Sequence, residues 1–219
     1  MSEVTAQPKQ VAEAPIGRRF LDVSHLPTVV LDGRDPLWWG LWLLICVEGT
    51  MFALLAASYL YLRGNESEWP PTGAVQPPLV LTATTVALLL ASCIPMAVAF
   101  RAARDGRLRP IQISMVLVTL LSIIAAVTRG YEFAAFGYFW HSHAYGSIVW
   151  AIYFMHTFHL VSGVFENALF TTLVFRGPVE KKHMLDLRLS SYYWWFVVVS
   201  WVVLWAMIMG DAFLFGSTR

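Results

Sequence analysis

Residues 145–175 read YGSIVWAIYFMHTFHLVSGVFENALFTTLVF, a run whose one formally charged side chain is Glu166. A helix that crosses a bilayer needs about 20 mostly apolar residues, so this run is long enough to span and then to tilt or project. Four further stretches have the same character: 37–62, 79–100, 111–129 and 189–215. The alternating segments of a membrane barrel are absent. The chain therefore reads as all-α, a polytopic membrane bundle of five transmembrane helices over residues 37–219, behind a polar N-terminal tail, 1–36. Pro77 and Pro78 suit the start of the second span, where a missing N–H costs nothing, and Pro95 is expected to kink it near its far end.

Composition points the same way. The 219 residues are 58% hydrophobic and 13% charged, against roughly 25% charged in soluble domains, and mean hydropathy is +0.60. A soluble globule this apolar would expose aggregating patches. A net charge of +1 gives no field for nucleic acid. The tail has no apolar core of the kind found in a signal peptide, so no cleavage is expected there. Cys46 and Cys93 sit inside apolar runs and read as small buried side chains; a disulfide would need the two runs packed at matching depth.

Charge asymmetry sets the orientation. Lys9, Arg18, Arg19 and Arg34 lie in the tail, Arg101, Arg104, Arg107 and Arg109 after span two, and Arg176, Lys181, Lys182 and Arg188 after span four. Five spans put these on one side, leaving Arg63, Arg129 and Arg219 opposite. The N-terminus is expected to be cytoplasmic and the C-terminus outside, with a bacterial inner membrane as the setting. Trp38, Trp39, Trp42, Trp69, Trp140, Trp194 and Trp195 fit interfacial belts.

The loops leave no room for a soluble catalytic domain, so chemistry must use groups inside the bilayer or belong to a partner. Ionisable residues there are expensive, and each is a candidate site. Glu48 lies near the middle of span one, either as a proton-handling carboxyl or as an acid satisfied by a neighbouring helix. In span four, at about 100° per residue, His159, Gly163 and Glu166 fall roughly 300°, 340° and 280° from His156, a face about 80° wide. Gly163 on that face lets another helix approach closely.

Three readings of this face compete. Haem needs imidazoles from opposite sides of the ring, whereas His156 and His159 project from one side of one helix. A dinuclear metal site uses carboxylates from several helices, and besides Glu166 the spans offer only Glu48. Ligand count therefore favours a hydrogen-bonded helix contact, with His156 or His159 reaching Glu48 or a backbone carbonyl. No catalytic or metal-ligating residue is assigned. Arg101, Arg104, His183 and Arg188 at the inner rim are candidates for phospholipid headgroups, and the aromatic run 192–195 reads as interfacial packing.

Glu48, Phe52 and Tyr59 followed by Trp69-Pro70-Pro71, then Tyr131-Glu132, Tyr145-Gly146-Ser147, Met155-His156-Thr157-Phe158-His159 with Gly163, and finally Tyr193-Trp194-Trp195-Phe196-Val197-Val198-Val199-Ser200-Trp201 occur in order. This series resembles subunit III of the haem-copper terminal oxidases, in its short five-helix form, from about Trp38 to Gly210. The chain departs from the family at Trp195, where a His is usual, at Val198, where an Asp is usual, and at Arg188, where an acidic residue is common. The resemblance implies a non-catalytic subunit with no haem or copper of its own. Its expected partners are subunit I, which is catalytic, subunit II, structural phospholipid, and a larger respiratory supercomplex. Its expected role is to support proton uptake and turnover stability.

Two other classes compete with that reading. One is an independent proton-coupled transporter using Glu48 and Glu166, against which stands the lack of an internal repeat. The other is a subunit-III-like component of a nitric oxide reductase. A b-type cytochrome is disfavoured by the histidine geometry.

Overall fold

The computed structural model describes residues 36–71, 74–177 and 181–215. The expected polar tail therefore lies outside the described residues except for Pro36, which opens the first helix. Five helices follow: α1 (Pro36–Asn65), α2 (Leu79–Asp105), α3 (Leu108–Ala135), α4 (Ala144–Arg176) and α5 (Lys181–Phe215). All five are long and apolar enough to cross a membrane. The shortest has 27 residues, which at about 1.5 Å per residue exceeds the roughly 30 Å of hydrocarbon. Each helix thus continues past the apolar layer.

The turns between helices have local causes. Gly106 ends α2 at φ 69°, a left-handed conformation that glycine adopts without Cβ strain. The N–H of Arg107 then bonds the Ala102 carbonyl at 3.0 Å, and α3 begins at the next residue. His143 caps α4, its Nδ1 accepting the Gly146 N–H at 2.8 Å. Pro95 lies inside α2, which runs on past it to Asp105.

Helix α2 packs most extensively on α3 and also touches α5; α3 packs on α4, and α4 on α5. Among the described helices, α1 touches only α4 and α5. Only Phe52 and Tyr59 are fully buried on it; a half-buried flank that includes Glu48, Met51 and Leu55 adjoins the bundle, and the opposite face is exposed, where lipid rather than water is the solvent for apolar side chains.

Three expectations change here. Cys46 is exposed, and both cysteines are free. The buried reading fails for Cys46 because α1 is peripheral, and no contact between α1 and α2 brings it to Cys93. Trp194 is not interfacial: it is 2% exposed, and its Nε1 donates to Ser92 Oγ at 3.0 Å. A Cβ built on Gly163 would come within 2.8 Å of the Trp194 ring, so the close approach that glycine permits is made by that indole. Finally, α3 extends six residues past Arg129, placing Arg129 and Glu132 inside the bundle instead of in an outer loop.

That extension continues a single stripe. The buried positions Ile111, Met115, Val118, Ser122, Ala125, Arg129 and Glu132 recur every three or four residues, the spacing of one face of a packed helix. Arg129 and Glu132 occupy the places where apolar residues would continue the pattern.

Candidate functional site

The four residues of the α4 face divide between two neighbours. His156 and Gly163 face α5. The His156 Nε2 donates to the Val197 carbonyl at 3.1 Å, and the ring lies 4.6 Å from that of Trp201. His159 and Glu166 face the seam with α1. The His159 Nδ1 donates to the Met155 carbonyl at 2.7 Å, and its Nε2 lies 3.6 Å from Glu48 Oε2. That separation is beyond a direct hydrogen bond. Phe52 packs over His159 with ring centroids 5.1 Å apart, and the Tyr193 hydroxyl of α5 lies near Glu48. Glu48 therefore points into protein, among an imidazole, a phenol and an aromatic ring.

Glu166, two turns beyond His159, lies near the Ser190 hydroxyl and lines a cleft of about 470 Å³. Leu37, Leu41 and Leu44 of α1 form one wall, and Ser162, Phe170, Asp186 and Tyr193 complete the lining. The leucines of α1 thus face a mixed polar and apolar wall formed by α4 and α5. The basic rim candidates do not line this cleft. Arg101 and Arg104 are exposed at the end of α2, with Arg104 3.8 Å from Asp105. Arg188 lies 5.2 Å from the Phe100 ring, on the α2 side of α5. His183 is half-buried at the start of α5.

Two ionic clusters escaped the sequence reading. Arg129 and Glu132 are completely buried, with 2.8 Å between Nη1 and Oε2. The other carboxylate oxygen accepts from Thr85 of α2, and the guanidinium stacks 3.7 Å from the Trp201 ring centroid and 4.8 Å from that of Tyr153. The second cluster ties α1 to α5: Arg63 pairs with Asp211, and the Tyr59 hydroxyl donates to Asp211 at 3.1 Å. The spans thus hold Glu132 and Asp211 as further carboxylates, correcting the earlier count of Glu48 and Glu166 alone. The signal for the first cluster was the three-and-four spacing of α3; the second pair, 148 positions apart in sequence, left none. Among the described residues, no three His, Cys, Asp or Glu side chains gather as a metal site.

These features define a polytopic α-helical membrane protein that holds two ion pairs, Arg129–Glu132 and Arg63–Asp211, within its bundle. The family model for cytochrome c oxidase subunit III matches residues 24–211, and the chain belongs to that family. Cytochrome c oxidase subunit 3 of Thermostichus vulcanus is 23% identical over 77% of this chain and 84% of its own length. That of Bacillus subtilis (strain 168) is 27% identical over 82% of this chain and 88% of its length. The Triticum aestivum protein is 26% identical over 64% of the chain, which spans about half (53%) of that longer relative.

Proposed function

We propose that this chain is the non-catalytic third subunit of a respiratory haem-copper oxidase, lending shelter and lipid to a catalytic subunit that carries the haem and copper. The observation that carries this reading is the seam where Glu48 of α1 meets His159 of α4 and Tyr193 of α5, beside the apolar cleft. In the proposal Glu48 is the carboxyl of this seam that assists proton uptake, and His156 and His159 are the polar contacts that position the helices around it. Glu166 is a second proton-handling or structural carboxyl, and phospholipid acyl chains lie in the cleft along Leu37, Leu41 and Leu44. Arg101, Arg104, His183 and Arg188 hold phospholipid headgroups at the inner rim. Subunits I and II are the proposed partners, in a bacterial inner membrane, with the tail on the cytoplasmic side and the C-terminus outside.

The test is to purify the complex with the wild-type chain, without it, and with Glu48→Gln. Oxygen consumption is then followed over many turnovers. The reading expects haem-bearing polypeptides to copurify, and the complex lacking the chain to start at a similar rate but lose activity sooner. Glu48→Gln should move proton uptake toward the subunit-depleted behaviour. A chain that purifies without any haem protein, or that conducts protons alone in liposomes, overturns the proposal.

A further inference from the structure

Among the described residues, buried polar atoms without a protein partner include Glu48 Oε2 and Asn167 Nδ2, and several more gather toward the end where α1, α3 and α5 finish and α4 begins. There Arg129, fully buried, has one N–H bonded to Glu132 while Nε and Nη2 have no acceptor. The Tyr153 hydroxyl and the Trp201 Nε1, on the two rings that cradle this guanidinium, also lack partners. The Tyr138 hydroxyl is another buried orphan. Each such group left dry costs about 1–3 kcal/mol. Buried polar groups with no protein partner are commonly bonded to internal water.

These groups also lead to the surface. Tyr153 and Tyr138 both pack on the Phe136 ring, at centroid distances of 4.8 Å and 5.7 Å, and the rings of Tyr138 and Tyr145 are 6.1 Å apart. Tyr145 packs 5.2 Å from Trp69 and lines a cavity of about 100 Å³ together with Glu66, Glu68, Trp69 and His143. Glu66 and Glu68 are exposed, so the rim is wet. A cavity of this size has room for several waters.

We propose that ordered water occupies this end of the bundle, bonded to Arg129 Nε and Nη2 and to the hydroxyls of Tyr153 and Tyr138, and that it exchanges with the outer medium through the Tyr145-lined cavity. The ion pair is then a hydrated site on the outer side, separate from the Glu48 seam and independent of the lipid role. The chemistry of the lining selects for water: Glu132 already neutralises Arg129, so an anion gains no net charge partner, and the remaining free groups are almost all donors. His156 offers a further acceptor. A carbonyl can only accept, so a ring with a single proton carries it on Nε2 toward Val197 and leaves Nδ1 bare.

Radiolytic hydroxyl-radical footprinting of the purified complex tests this, because radicals form from water in place and oxidise the side chains beside it. Tyr153 and Trp201 should be labelled despite zero exposure, while the intrinsically more reactive Met96 and Met115, equally buried, stay unlabelled. Tyr153→Phe keeps the ring and removes the hydroxyl, and it should lower the label on Trp201 several-fold. If that variant fails to assemble, the wild-type pattern decides alone. Labelling of Tyr153 and Trp201 no higher than that of the two methionines overturns the proposal, as does a high-resolution density map with no water at Arg129.

Discussion

Arg129 and Glu132 stand one turn apart on α3, neither with any exposed surface, and 2.8 Å separates Nη1 from Oε2. Removing two charges from water costs several kcal/mol per ion, which mutual attraction offsets only when further contacts complete the geometry. Those contacts come from three other helices: Thr85 of α2, Tyr153 of α4 and Trp201 of α5. The pair is therefore the point at which four of the five helices are held in one register.

Replacing Glu132 with Leu strands a buried guanidinium, and the expected loss is about 3–5 kcal/mol. The double substitution Arg129→Met with Glu132→Leu removes both charges and should lose markedly less than either single change. Denaturant titration of the purified complex, followed by subunit retention, measures the difference. A loss in the double variant equal to the sum of the two single losses would mean that the pair is not coupled.

Gly163 has no room for a methyl group, because the Trp194 ring would lie 2.8 Å away. That ring is itself pinned by its bond to Ser92. Gly163→Ala should therefore destabilise by about 1–3 kcal/mol, the ordinary range for overpacking. Gly40→Ala, at a position with nothing within 4 Å, is the matched control and should be close to neutral. Thermal loss of the assembled subunit reads both.

Ser92→Ala leaves the Trp194 N–H buried without an acceptor, and the expected loss is about 1–3 kcal/mol. A double-mutant cycle with Trp194→Phe isolates the bond from the volume change. The cycle should return a coupling of about 1 kcal/mol; a value near zero would assign the site to shape alone.

Asp211→Asn weakens the tie between the far ends of α1 and α5, where Arg63 and Tyr59 converge on one carboxylate. With Asp211 8% exposed and Arg63 28% exposed, a loss of about 1–2 kcal/mol is expected, less than for the fully buried pair. Because, among the described residues, α1 packs on no helices but α4 and α5, its C-terminal end should loosen first. Faster hydrogen exchange at residues 59–65, with residues 118–129 unchanged, is the expected pattern.

Much of this architecture is legible along the chain. Lipid demands about 20 apolar residues per crossing, so the five runs announce five helices, and the spacing of His156, His159, Gly163 and Glu166 puts them on one face before any neighbour is known. The extent of α3 was also available in principle, since its stripe from Ile111 to Glu132 keeps one period throughout. It went unread because charged residues at the end of an apolar run look like a loop.

Which helix meets which face is a different kind of information. A helical period says that two side chains share a side; it is silent about what lies opposite. Between membrane helices no difference in hydrophobicity selects the partner, because lipid tails are as apolar as leucine, and the choice falls to close packing and paired polar groups. Hence Trp194 could not be told from an interfacial tryptophan until Ser92 and Gly163 were seen against it. Likewise Asp211 had no visible partner until α1 and α5 ended side by side. Apolar length dictates that the chain crosses the membrane five times; only the packed bundle dictates which charges find each other inside it.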